Sequence, residues 1–277
     1  MITIITDSSS YFKKSEAHEF GVKIVPINYR VNDQNFSESF SDQNGDFESL
    51  LKGNRVYATS HPNMSAFLSA FEEELHNDNE VLCITISSRL SGAYGTAYAA
   101  AKQTESERVA VFDSQLTAGG LYLLAREAKK LIDRKLSLHD IIDKLPAIRD
   151  RITIVFTVDD MAPLRRSGRL GFVRVSVSTI LNIRPILLCK DGAIVSDSIA
   201  RGDTETIKKM ADKITAGTNE VVVSYIGDNR MATNLYHVIK KATPDITVTL
   251  QKIGPALGIH LGLSAVAVSF INMTGLE

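Results

Sequence analysis

The 277-residue chain has only two cysteines, no excess of either charge and no unbroken apolar run of 18 residues. Each shortage excludes something. Cys83 and Cys189 lie in apolar runs and outside any CxxC pair. That argues against a disulfide framework and a structural zinc, and for small core residues in a reducing, cytoplasmic setting. A net charge of −1 supplies no chain-wide field to recruit nucleic acid. Without a long apolar run, no segment is expected to span a bilayer. The opening MITIITDSSS has no basic region followed by a long apolar one, so it reads as a buried strand and not as a signal peptide. HExxH, an EF-hand loop, GxxxxGK[ST], GxGxxG and GxSxG are all missing. No metal and no nucleotide or dinucleotide cofactor is therefore expected.

What is present is an ordinary globular balance, with 44% hydrophobic and 23% charged residues. The first half alternates short apolar runs with helical patterns. Strands are expected at Ile2 to Thr6, Val22 to Val31, Tyr57 to Thr59, Val81 to Ile86 and Val109 to Phe112. Helices are expected at Tyr11 to Phe20, from Pro62 through Leu75, and at Gly92 to Gln103, Leu116 to Arg134 and Leu138 to Arg149. Residues 32–55 read as loop, with one helix at Asp46 to Leu51. This βαβα order predicts a mainly parallel sheet. The second half differs. Asp191-Gly192 between apolar runs signals a hairpin, so antiparallel pairing enters there. A helix is expected at Phe172 to Asn182 and again at Glu205 to Ala216 and Met231 to Ala242, with strands at Ile152 to Val158, Val221 to Ile226, Ile246 to Ile253 and Ser264 to Ile271. The change near Arg149 predicts two α/β domains, residues 1–150 and 151–277.

Two strand-to-helix turns are rich in hydroxyls. ISSRLSG, residues 86–92, places Ser87, Ser88 and Ser91 where a strand hands over to a helix. Ser91 can serve there as a helix cap or as part of an anion receptor, because a helix start offers spare N–H groups and partial positive charge. ATSHPN, residues 58–63, offers Thr59 and Ser60 in the same way. If the two strands are neighbours in a parallel sheet, both turns face one point at the strand ends. Neutral hydroxyls suit one carboxylate or phosphate. IGPALGIHLG, residues 253–262, reads as irregular backbone holding His260 among apolar residues. LRRSGRL, residues 164–170, clusters Arg165, Arg166 and Arg169, either as a solvated helix end or as a docking patch. The helix from Gly92 is lined with alanines, which pack tightly or leave room for a thin apolar ligand. A Ser91–His260–Asp113 triad can be drawn, with no local motif to support it.

In order and spacing, DSSS, ATSHP, ISSRLSGAY, FDSQ, LRRSGRL, IRPIL, IAR and IGPALGIHLG resemble the DegV family nearly end to end. That family includes the fatty-acid-binding subunit of bacterial fatty acid kinase. The resemblance implies a two-domain DegV-type fold, with a mainly parallel N-terminal sheet and a mixed C-terminal sheet lining an acyl tunnel. It implies a bound long-chain fatty acid, its carboxylate held by Thr59, Ser60, Ser91 and Gly92, with His260 and Arg201 in a supporting polar network. It further implies a non-catalytic chain that presents the carboxylate to a separate ATP-dependent kinase. The product would be an acyl-phosphate for phospholipid synthesis. Arg165, Arg166 and Arg169 become the kinase-docking patch, and transient membrane contact would serve lipid exchange. One departure stands out. The family's last motif often reads GTHxGPG, whereas here Ile259 follows Gly258 and Leu263 stands where proline is common. The competing readings are an acyl hydrolase using Ser91 and a sensor for another amphiphile.

Overall fold

The computed structural model describes the whole chain except residues 39, 54, 171–181, 273, 276 and 277. Three sheets organise it. The first is built from β1 (Ile2–Asp7), β2 (Val22–Val25), β6 (Glu80–Thr85) and β7 (Val109–Asp113), in the order β2-β1-β6-β7 with every pairing parallel. Ile4, Ile5 and the run Val81 to Ile84 are buried without alternation, as befits a parallel sheet covered on both faces. Its helices are α1 (Lys14–Phe20), α3 (Met64–His76), α4 (Ala93–Gln103), α5 (Ala118–Asp133) and α6 (Leu138–Arg149).

The second sheet is mixed. It comprises β8 (Ile152–Thr157), β9 (Ile183–Lys190), β10 (Ala193–Arg201), β11 (Thr218–Tyr225), β12 (Thr247–Lys252) and β13 (Val266–Asn272), in the order β10-β9-β8-β13-β11-β12. Only β11 and β12 pair in parallel. The expected hairpin joins β9 to β10. Asp191 and Gly192 both take positive φ, 49° and 78°, which a two-residue turn matched to strand twist requires. Helices α8 (Gly202–Ala211) and α9 (Arg230–Ala242) cover one face. Helix α5 lies between the two large sheets and packs against strands of both. Its Gly119 and Gly120 permit that approach. A Cβ at Gly120 would stand 2.5 Å from Ile154 Cδ1, and one at Gly119 3.0 Å from Val222 Cβ.

The third sheet departs from the sequence expectation. The extended stretch Val22 to Val31, which Pro26 marks as an edge or irregular strand, divides at that proline, which cannot donate to a ladder. Its second part, β3 (Asn28–Val31), pairs antiparallel with β4 (Gln34–Ser37) and β5 (Tyr57–Ser60). Residues 32–55 thus contain a strand as well as the short α2 (Phe47–Leu50). The Thr59 strand therefore does not belong to the parallel sheet. One other expectation is corrected and one alternative is decided. Residues 253–262 are not irregular: Pro255 opens a helix, α10 (Pro255–Leu261), which Gly262 ends. The alanines Ala93, Ala97 and Ala100 of α4 pack into the core around the parallel sheet. Of the two readings offered for them, tight packing is the one these three alanines take. The short α7 (Ala162–Ser167) ends at Gly168 in the left-handed region. The helix expected at 172–182 lies, but for Asn182, outside the described residues.

Candidate functional site

A cavity of about 1100 Å³, counting the part open to solvent, lies where the three sheets meet. Its wall is apolar, with Ile86, Ile154, Phe156, Ile194, Leu257 and Ala267 among its residues. A separate cluster of buried side chains, including Phe156, Leu164, Ile194, Ile253 and Ala267, surrounds it. Polar groups from three elements join the same cavity. β5 brings Thr59 and Ser60, the start of α4 brings Ser91 and Gly92, and α10 brings His260. Ser60 and Gly92 are exposed and Thr59, Ser91 and His260 half-buried, so this polar end is the end nearest solvent. The structure brings Thr59 and Ser91 to one cavity although their strands belong to different sheets.

The hydrogen bonds define what these groups can still do. Thr59 Oγ1 and His260 Nε2 share a bond of 2.7 Å. Burial, followed by the nearby Arg169 guanidinium, pushes the His260 imidazole down to about 4, so at neutral pH the ring is uncharged. Ser91 Oγ accepts the Ala93 N–H at 3.3 Å, at the first turn of α4. The N-cap of α4 is Gly92 and not Ser91 as the turn chemistry suggested; Ser91 bonds the helix's first N–H from one position further out and also lines the cavity. Gly92 lies against the His61 ring: a Cβ there would stand 2.7 Å from His61 Cδ2, so the ring would have to move. His61 itself lines the cavity, and its Nδ1 lies 3.2 Å from Thr96 Oγ1.

The arginines divide differently from the sequence expectation. Arg169 lines the apolar cavity and acts on His260. Its guanidinium donates to the Leu90 carbonyl at 3.4 Å and to that of Ser167. Arg169 and Arg166, with Arg55, also line an open polar groove of about 1230 Å³ that shares Thr59 and His260 with the cavity. Arg165 is exposed on α7 and lines neither. Arg201 is exposed at the end of β10, where its N–H is held by Glu205 at 2.8 Å and the chain turns into α8. It lines neither space, so the cation beside His260 is Arg169. The triad is not assembled. His260 is bonded to Thr59, and Asp113 accepts from Ser88 through both its N–H (3.0 Å) and its hydroxyl.

Sequence reasoning missed a buried acidic cluster beneath the site. Asp7 is fully buried and accepts the Ile86 N–H at 2.7 Å and the Ser9 N–H at 3.1 Å. Burial pushes its carboxyl up despite these donors. Glu38, just past β4, is also fully buried and receives Ser8 Oγ and Ala256 N–H, each at 2.7 Å, and the Tyr11 hydroxyl at 3.4 Å. Desolvation raises it to about 7. DSSS was visible in the sequence, but nothing there tied it to Glu38. Cys189 lines the cavity with its thiol pushed up to about 12 by burial, so it stays protonated. Among the described residues, no cluster of three potential metal ligands occurs and no helix is long and apolar enough to cross a membrane.

Comparison with known proteins agrees with this architecture. Residues 1–273 match the model of the family described as "Uncharacterised protein, DegV family". A DegV domain-containing protein of Halalkalibacterium halodurans is 29% identical over 276 residues, covering 97% of this chain and 98% of that one. A fatty-acid-binding DegV family protein from Thermus thermophilus superposes with a TM-score of 0.88 at 24% identity, over 98% of this chain and 99% of its own. A DegV lipid-binding protein from Thermotoga maritima superposes with a TM-score of 0.87 at 22% identity, over 98% of each chain.

Proposed function

This chain belongs to the DegV family, and we propose that it binds a long-chain fatty acid in the apolar cavity and presents its carboxylate to a separate ATP-dependent kinase. The observation that carries the reading is the cavity's make-up. An apolar interior ends in two hydroxyls whose oxygens already have internal partners. Ser91 accepts from Ala93, so its own proton is free to donate. With the uncharged His260 protonated on Nε2, Thr59 accepts from the ring and its proton is likewise free. Two such donors fit one carboxylate. Ser60 and Gly92 complete that end of the cavity, and His260 supports Thr59 from behind. Two relatives of this fold are described as fatty-acid- and lipid-binding proteins, which supports the ligand class.

The energetics suit the ligand. Burying about 14 methylenes is worth roughly 11 kcal/mol at about 0.8 each, and association returns several kcal/mol of that. The tunnel then supplies affinity and the hydroxyls supply orientation. A carboxylate that must attack a phosphoryl group needs unencumbered lone pairs. Neutral hydroxyls leave it more nucleophilic than a bidentate arginine would. The arginine-lined groove that meets the cavity at Thr59 and His260 suits the approach of a kinase and its nucleotide phosphates, with Arg166 and Arg169 as contacts, while Arg165 is exposed on α7 outside its lining. The acyl-phosphate formed would feed phospholipid synthesis. In this reading residues 1–150 and 151–277 are the two domains, the chain is cytoplasmic, its role is non-catalytic, and it needs no cofactor beyond the bound lipid. Brief membrane contact exchanges that lipid.

Mass spectrometry of lipid extracted from the native purified protein tests the reading. One fatty acid per chain is the expected result. An empty protein that hydrolyses esters would overturn it in favour of a Ser91 hydrolase.

A further inference from the structure

Glu38 sits at a junction. Its own N–H is bonded to the Ile27 carbonyl at 2.8 Å, at the edge of the small sheet whose β5 carries Thr59. Its side chain crosses to α10, the helix that carries His260. Oε2 accepts the Ala256 N–H at 2.7 Å, and Tyr11, which donates to the same oxygen at 3.4 Å, accepts the Leu257 N–H at 3.3 Å. Oε1 takes the Ser8 hydroxyl at 2.7 Å, and Ser8 in turn receives the Ile27 N–H at 3.0 Å. The first turn of α10 is thus pinned through two successive N–H groups. His260 lies four residues after Ala256, one turn along the same face. Gly254 lets the chain come this close, since a Cβ there would stand 2.6 Å from both Glu38 Oε2 and Asn44 Nδ2.

We propose that Glu38 is a positioning residue for the head-group site. Its carboxylate fixes the first turn of α10 and so holds His260 against Thr59, in the arrangement that leaves the Thr59 proton for the ligand. This rests on the fatty-acid reading above. The groups facing Glu38 are acidic or neutral: Asp7 at the end of β1, Tyr11, Tyr29 on β3, and Asn44 beside it against Gly254. From α10 it accepts the Ala256 backbone N–H. The charge that bears on His260 is that of Arg169, so Glu38 acts through the helix and not through its field. Its carboxyl titrates at about 7, so a neutral-range pH change alters this contact. Protonation turns a charge-assisted acceptor into a neutral one and weakens the hold on Ala256.

The test compares wild type with Glu38→Gln, which keeps the shape and an acceptor but cannot ionise. Oleate affinity is measured by displacement of cis-parinaric acid between pH 6 and 8.5, and the side-chain NMR signals of ¹⁵N-histidine-labelled protein are followed without ligand. Wild-type affinity should fall about fivefold from pH 8 to pH 6, the difference between a charged and a neutral hydrogen bond. Glu38→Gln should stay at the lower value throughout, and its His260 signal should lose the pH-dependent change seen in wild type. Tyr11→Phe, which keeps the charge, should retain the pH dependence. Identical affinities and His260 profiles in wild type and Glu38→Gln would overturn the proposal. If wild type binds no oleate, the functional reading fails instead, and the histidine signals alone decide whether Glu38 positions His260.

Discussion

Of two polar clusters near the apolar cavity, one lines it and the other is buried behind its wall, and they are built on opposite principles. The outer one, Thr59, Ser91 and His260, is uncharged, half-exposed and drawn from three elements in different parts of the fold. Each hydroxyl oxygen has an internal partner; Ser91 accepts and keeps its proton to give, and Thr59 does so with the His260 proton on Nε2. The inner one, Asp7, Glu38 and Tyr11, is acidic and fully buried, and its carboxylates receive backbone and hydroxyl donors from several directions. Unspent hydrogen-bonding capacity marks a place where something can bind. Spent capacity marks a place that holds structure. The two ends differ in residue type, neutral hydroxyls and an imidazole against carboxyls and a phenol, as well as in bonding state.

The sharpest way to break the contrast is to remove the outer donors. Thr59→Ala with Ser91→Ala should weaken oleate binding at least about a hundredfold, each lost bond to a charged group being worth roughly 1.5–3 kcal/mol. Unchanged affinity would show that the carboxylate is held elsewhere. Next comes the inner end. Gly254→Ala forces a methyl against Glu38 and Asn44, and should cost about 1–3 kcal/mol of stability in denaturant titration.

Glu38→Gln should do the opposite. A carboxyl raised from 4.5 to about 7 favours the fold fully below pH 4.5 and loses that contribution as pH rises through 7. At pH 8 the buried charge is a burden, so the amide should stabilise the ligand-free protein by about 2 kcal/mol, under a ceiling of ~3 set by the shift. The gain should shrink below pH 7 and vanish near pH 4.5. Higher stability joined to weaker ligand binding is a signature that a purely structural residue would not give. Thermal melts across that range check it.

The smallest effects distinguish the arginines. Arg169→Ala should move the His260 midpoint upward, since the guanidinium is the second cause of its depression, while burial keeps it below 6.5. Arg201→Ala, on an exposed strand end, should leave that midpoint unchanged and alter stability by no more than about 0.5 kcal/mol. A histidine titration by NMR reads both.

Much of the fold was legible because it depends on local periodicity. The parallel core strands, α3 to α6 and the Asp191-Gly192 hairpin follow from apolar spacing and turn chemistry. The small sheet was hidden because β4, Gln34 to Ser37, is polar and short, with no apolar alternation to mark it. α10 was hidden because three glycines and a proline in the ten residues 253–262 read as a break, and here the proline only starts the helix.

The sequence by itself determined the chemistry available: hydroxyls at two turns, a histidine in an apolar setting, and no metal or nucleotide motif. It also determined the family likeness that orders them, because those signals are local and keep their order along the chain. Only the tertiary structure decided which of them meet. It joined Thr59 to His260 across 201 residues, placed Arg169 and not Arg201 beside them, and set Glu38 under the helix that carries His260. Such pairings depend on how three sheets pack, and the spacing of residues along a chain does not encode the distance between them in space.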